Sequence, residues 1–390
     1  MDKKVLIVFP GIQIKNDEGS KHRLFSHILE YNRHGYDVTV LAFCKDAFFS
    51  VDKCFISDNA RWFIRPCFLP LAKNKLLRVI VDLYMKLVVT AHSWLAKYRI
   101  IQFEMWGLRS PFCRNKGVYY ITDVHGDIAH EFKEGRNRND WFFQYSIDQQ
   151  KQFVSNSDFC IVVSENLKDQ LEINTGETIK KHAVISCGVD LNRFYDAPKK
   201  TIEGVDLNDR VVIGYCGGFQ NWQNFGEMID IAIRLHKIDE KVFLLAFSNS
   251  DITPYQEKLS ELGKDNYYIT GLPSQEVPSH IKLMDAGLLL RSNWILNKVS
   301  SPTKICEYLA SGVPLICTKY SGDYRRSVTH LDNGFVANGP HLSDQEIDEL
   351  YRWLIEVKRH RSDIAERCMK SVHDRTFEEE FRAFSDSINL

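Results

Sequence analysis

A chain of 390 residues exceeds one ordinary core and divides naturally into two domains of about 200 residues each. Apolar residues at 44%, charged residues at 26% and a formal net charge of −1 describe a globular protein whose overall charge gives no reason to expect nucleic acid as a partner. Its ten cysteines contain no C-x-x-C pair and no Cys/His metal spacing, so they read as small buried hydrophobes of a reducing compartment.

The run Val5–Phe9 is too short for a signal segment and reads as a first buried strand. A loop with Gly11 and Gly19 follows, then a helix over 21–33 with Leu24, Phe25, Ile28 and Leu29 on its apolar face. Gly35 ends that helix, and Val38–Phe43 is the next strand. This strand–loop–helix–strand unit predicts a doubly wound parallel sheet, yet it lacks G-x-G-x-x-G and so carries no dinucleotide fingerprint.

Residues 71–100 are basic, with Lys73, Lys75, Arg78, Lys86, Lys97 and Arg99 against a single acid, Asp82. Arg78, Asp82 and Lys86, spaced by four, form one narrow polar stripe on an otherwise apolar helix. Two readings stand: a helix of the core with its stripe at the surface, or an interfacial helix whose cations meet an anionic membrane surface. No uncharged run is long enough to cross a bilayer; the expected location is cytoplasmic, and peripheral to the inner face of the membrane under the second reading.

Strands are expected at Ile100–Phe103 and Val118–Thr122. The second runs into Asp123-Val124-His125-Gly126-Asp127, a polar loop at the carboxyl edge of a parallel sheet, where ligands bind. His125 there is suited to donate a hydrogen bond to a sugar hydroxyl or a leaving phosphate; a purely structural loop histidine is the competing reading. Cys160–Ser164 is a further strand, and Ala183–Phe194 closes the first domain. After a linker-like stretch over 196–208 the rhythm restarts, with strands at Val211–Tyr215, Val242–Phe247, Tyr267–Thr270, Ala286–Leu290 and Leu315–Cys317.

The stretch Ser300–Thr318 reads SSPTKICEYLASGVPLICT. Ser301 is placed to cap a helix with Pro302 at its first position, and Gly312 and Pro314 end it. Lys304 and Glu307 share a face three residues apart. A helix N-terminus with a lysine in its first turn suits a phosphate, and a carboxylate one turn deeper suits a ribose diol.

This stretch matches S-P-x-K-x-x-E-Y-x-A-x-G-x-P-x-I throughout and resembles the nucleotide-sugar-binding helix of GT-B glycosyltransferases, specifically the retaining family 4. The segment 183–194 resembles that family's V-I-x-x-G-V-D-x-x-x-F hinge. The loop from Asp123 resembles its D-x-[RH]-G-x-x-x-E loop, with the acid one residue late at Glu131. The resemblance implies two Rossmann-like domains facing each other across a cleft. They would span 1–195 on the acceptor side and 196–375 for the nucleotide sugar, with a last helix over 376–390 crossing back.

It further implies catalytic roles for His125, Asp123 and Lys304. Donor contacts would come from Lys304, Glu307, Gly217, Gly218, Gly271, Leu272, Ser301, Thr303, Ser321, Gly322 and Asp323, and acceptor-side contacts from Gly11 and Gly19. Two departures stand out. Where many members carry an Arg and a Lys for the diphosphate, this chain has Gly218 and Gln223; Arg291 and Lys298 are alternate cations. Where many carry a first acid eight residues before Glu307, it has Val299. The implied activity is transfer of a sugar from a nucleoside-diphosphate sugar to a glycan or lipid-linked acceptor, in cell-surface polysaccharide synthesis and with retention. No metal or other cofactor is expected. A nucleotide-sugar epimerase or hydrolase, and a binding-only relative, remain as alternatives.

Overall fold

The computed structural model describes residues 3–9, 19–44, 58–66, 75–104, 114–135 and 140–388. The chain forms two compact units, Met1–Cys187 with Phe377–Leu390, and Gly188–Thr376. In the first unit the elements are β1 (Lys4–Phe9), α1 (Gly19–Arg33), β2 (Asp37–Cys44), β3 (Arg61–Pro66), α2 (Lys75–Leu95), β4 (Ile100–Glu104), β5 (Tyr119–Val124), the single turn α3 (Ile128–His130), α4 (Asp140–Asn156), β6 (Phe159–Val162), α5 (Glu165–Thr175) and β7 (His182–Val184). The strands form one parallel sheet in the order β3-β2-β1-β4-β5-β6-β7.

The near-continuous apolar runs have the expected cause: both faces of this sheet are covered. Val5 and Ile7 of β1 face a core with Leu24 and Ile28 of α1 and with Phe381 and Phe384 near the C-terminus. Leu6 and Val8 face the other core, with Val81, Met85 and Val89 of α2 and Phe153 of α4.

The second unit holds α6 (Leu191–Tyr195), β8 (Val211–Cys216), α7 (Phe225–Ile238), β9 (Val242–Phe247), α8 (Gln256–Leu262), β10 (Tyr267–Thr270), α9 (Val277–Ile281), β11 (Ala286–Leu289), α10 (Ile295–Lys298), α11 (Thr303–Ala310), β12 (Leu315–Thr318), β13 (Gly334–Ala337), α12 (Asp344–Arg359) and α13 (Arg361–Lys370); α14 (Phe377–Ser387) belongs to the first unit. Its sheet is also parallel, in the order β10-β9-β8-β11-β12-β13. In both sheets the order reverses beside the first strand, between β1 and β4 and between β8 and β11. Such switch points open a crevice at the carboxyl ends of the strands.

Two sequence expectations are corrected. Ser301 is not a cap: the N-cap of α11 is Pro302, with no side-chain hydrogen bond, because the Ser301 hydroxyl donates instead to Asp323 Oδ2 at 3.0 Å. The stripe on α2 is inverted. Arg78 and Asp82 are buried, while Leu76, Val79, Ile80, Leu83 and Leu87 are exposed. The reason lies in α4, which supplies polar partners. The Arg78 Nε donates to Tyr145 Oη at 3.2 Å, Tyr145 Oη donates to Asp82, and the guanidinium lies over the Phe142 and Tyr145 rings at 5.5 and 5.2 Å.

Candidate functional site

In the second unit the switch point is built from the loops after β8 and β11 and the start of α11. β8 runs into Gly217, whose φ of +146° only glycine adopts readily. A β-carbon there would lie 2.5 Å from Lys304 Cε and 3.0 Å from its Nζ, so the lysine side chain lies directly over the turn. The alignment is set one turn further along α11, where Tyr308 Oη accepts the Cys216 amide at 2.7 Å and pins the helix to the end of β8. Gly218 is held from the other side, its carbonyl accepting the Tyr215 hydroxyl at 2.8 Å.

Arg291, two residues past β11, joins this site. Its side chain is buried, one guanidinium nitrogen donates to the Trp222 carbonyl at 3.0 Å, and its Nε has no partner. Gln223, the residue after Trp222, is where the family pattern places a lysine, so Arg291 brings a cation from another strand to that part of the site. Burial draws its pKa down to about 10, against a small upward pull from Tyr215. Burial likewise lowers the pKa of Lys304, opposed by Glu307 and reinforced by Arg291. Neither cation is within ion-pair distance of a carboxylate among the described residues, and Glu307 has no side-chain partner there either. Lys298 lies over the Tyr320 ring at 5.8 Å.

The remaining donor-side candidates divide. Thr303 opens α11 behind the uncapped Pro302. Gly322, at φ +69°, has no room for a β-carbon, which would lie 2.2 Å from the Ser300 carbonyl; the loop after β12 is thereby pressed onto the approach to α11. Ser321 and Asp323 are engaged internally. The Ser321 hydroxyl donates to the Leu289 carbonyl at 3.0 Å and its amide to the Thr318 carbonyl at 3.0 Å. Asp323 accepts from Arg375 at 2.9 Å as well as from Ser301. Gly271 stands at the end of β10 against Asn249, and Leu272 packs on the core.

In the first unit His125 follows β5 directly and sits on a buried charge network. Its Nε2 lies 3.0 Å from Asp123 Oδ2 and 3.4 Å from Glu104 Oε2. Glu104 and Asp123 are register partners at the ends of β4 and β5. Arg23 of α1 grips both oxygens of Asp123, at 2.7 and 2.8 Å, and donates to the Ile185 carbonyl at 2.7 Å. His27, one turn on, lies 3.2 Å from Glu104 and 3.4 Å from Asp123.

Burial favours the neutral form of each of these groups, and the neighbours decide the outcome. For Asp123, Arg23 and His125 outweigh burial and hold the carboxyl far below its usual range. For His125, Asp123 outweighs burial and raises the imidazole pKa. For His27 burial wins and the pKa falls. His125 is therefore biased toward imidazolium, with one N–H spent on Asp123 and the other free to donate.

His27, Glu104 and Asp123 bring ligand atoms within 4.8 Å of one another, a spacing that suits a metal ion. Arg23 already occupies both Asp123 oxygens, so a dication there would compete with a fixed guanidinium. Asp127 is taken up as the cap of α3, with further bonds from Gln150 and Asn174. Gly19 begins α1, while Gly11 and Lys73 lie outside the described residues.

Sequence reasoning missed Arg23, His27 and Glu104. Two polar residues four apart on a core-facing helix, and an acid ending the apolar run Ile100–Phe103, were the available signals.

Residues 19–193 match the model of Glycosyltransferase Family 4. No curated protein matches the chain in sequence. Among solved structures it is similar to Anabaena HepE in complex with UDP, at 14% identity and a TM-score of 0.67, covering 99% of each chain. It is similar to sucrose-phosphate synthase from Thermosynechococcus elongatus, at 13% identity and a TM-score of 0.72, covering 99% of this chain and 98% of that one. It is also similar to WaaG, a glycosyltransferase involved in lipopolysaccharide biosynthesis, at 11% identity and a TM-score of 0.68, covering 98% and 100%. The chain thus has the GT-B fold, with two Rossmann-like units, and its residues 19–193 are similar to a glycosyltransferase family.

Proposed function

We propose that this protein transfers a sugar from a nucleoside-diphosphate sugar to a glycan or lipid-linked acceptor in cell-surface polysaccharide synthesis, with retention of configuration. The matching domain and the similarity to a lipopolysaccharide-synthesis enzyme support the reaction class. The observation that carries the donor assignment is the pair Lys304 and Arg291: two desolvated cations with no carboxylate in ion-pair range, beside the uncapped N-terminus of α11. An unpaired desolvated cation is unfavourable by itself, and a diphosphate supplies the missing charge.

In this reading the diphosphate lies over the Gly217-Gly218 turn, against Lys304, Arg291 and the first-turn amides of α11. Glu307 accepts from the ribose hydroxyls. As the bond to the sugar breaks, the same groups stabilise the negative charge growing on the leaving diphosphate, and this part of the chemistry needs no metal. His125, oriented by Asp123 and biased toward imidazolium, is the group of the first unit suited to donate a hydrogen bond to a sugar hydroxyl. The similarity to a UDP-bound structure makes UDP the first nucleotide to test.

Calorimetry with nucleoside diphosphates, followed by product analysis of the matching UDP-sugar or other donor with candidate acceptors, tests this. Binding is expected to require Lys304 and Arg291, and product formation to require acceptor. Equal nucleotide release with and without every acceptor tried would favour hydrolysis, and unchanged affinity in Lys304→Ala and Arg291→Ala would move the donor site elsewhere.

A further inference from the structure

We propose that the outward face of α2 docks on an anionic lipid surface. This goes beyond the sugar-transfer reading and stands independently of it. The helix has 21 residues, about 31 Å in length. Its inward arc carries Arg78, Val81, Asp82, Met85, Val89 and Ser93. Its outward arc carries Leu76 at 71% exposure, Val79 at 53%, Leu83 at 50%, Leu87 at 55% and Trp94 at 65%. At 100° per residue that arc runs from Val79 to Leu95 over about 160° and contains no charged residue. Scattered exposed apolar residues are ordinary; a continuous five-turn face is an interaction surface.

The charges at its two ends decide the occupant. Lys75 opens the helix and Lys97 follows its end, both exposed and without an ion-pair partner among the described residues. A second copy of the chain would pair this face with itself. Parallel packing would set Lys75 against Lys75, antiparallel packing Lys75 against Lys97, so like charges meet either way. The arc is also wider than the narrow seam of a helix pair. Anionic headgroups satisfy both lysines while acyl chains take the leucines, and Trp94 sits at one end as interfacial aromatics do. No described helix is long and apolar enough to cross a membrane, so α2 would lie in the plane of the interface.

Flotation with phosphatidylcholine vesicles, with and without phosphatidylglycerol, tests this. The parent should float with the anionic vesicles only, and less as salt rises. Val79→Ser/Leu83→Ser/Leu87→Ser should reduce flotation at least tenfold with an unchanged melting curve, and Lys75→Glu/Lys97→Glu should do likewise. Because the serine variant could fold poorly, brominated lipid gives a second reading in the parent: it should quench a fluorescence component that Trp94→Phe removes. No flotation of the parent, equal flotation of the serine variant, or absence of Trp94 quenching would overturn the proposal. So would a parent dimer that the serine variant turns into monomer.

Discussion

Lys304 Cε lies 2.5 Å from the point where a β-carbon on Gly217 would stand. The last residue of one strand's turn and the first turn of a helix nearly 90 residues later are thus fitted to each other. Gly217→Ala is expected to be doubly unfavourable: φ +146° strains any side chain, by about 1–3 kcal/mol, and the lysine must leave the turn. Urea denaturation should show the loss of stability, and calorimetry a nucleotide affinity reduced roughly tenfold.

Arg291→Met should separate function from stability. Replacing a buried guanidinium that has no carboxylate partner removes an unfavourable desolvated charge, so the ligand-free protein should become more stable by about 1–3 kcal/mol. Nucleotide affinity should fall about tenfold or more, as should that of Lys304→Met. The sign follows from the depressed pKa values: the charged forms weaken the folded state below those values, and the penalty lifts as pH rises through them. Scanning calorimetry with and without nucleotide checks both halves. A less stable ligand-free Arg291→Met protein would mean that the guanidinium is a structural strut.

His125→Asn should lower turnover while leaving nucleotide affinity nearly unchanged, because the groups proposed to bind nucleotide, Lys304, Arg291 and Glu307, all belong to the second unit. Its pKa is raised on folding, so its contribution to stability is complete below about 6.5 and is lost as pH rises through the higher folded value. Asp123 acts in the opposite direction: its pKa is lowered, so its contribution is present above about 3.8 and is lost as pH falls through the folded value. Melting temperature against pH should therefore decline on the alkaline side of 6.5 in the parent, and this decline should shrink in His125→Asn. Identical curves would mean that the ring is not charged in the folded protein.

On α2 the inverted stripe gives a paired prediction. Arg78→Ala removes the partner of Asp82 and Tyr145 from a buried site and should destabilise by about 3–5 kcal/mol. Lys75→Ala, on an exposed lysine, should change stability by less than about 0.5 kcal/mol. Urea denaturation distinguishes them, and a reversed order would restore the surface-stripe reading.

The sequence by itself determined the strand-and-helix rhythm. Fully covered parallel strands must be apolar throughout, so Val5–Phe9, Val242–Phe247 and Leu315–Cys317 could be read as strands from composition. It also determined the Lys304–Glu307 helix, because helical spacing is local and fixes which residues share a face. Which face turns inward is a different matter. On α2 periodicity grouped Arg78 with Asp82 correctly, but only Tyr145 and Phe142 of α4, more than 60 residues away, made that group the inward one. The same separation hid Arg23, His27 and Glu104 behind His125. Parallel strands that pair out of chain order bring together side chains with no common local pattern, and desolvation then gives each charge a meaning that only its neighbours can set.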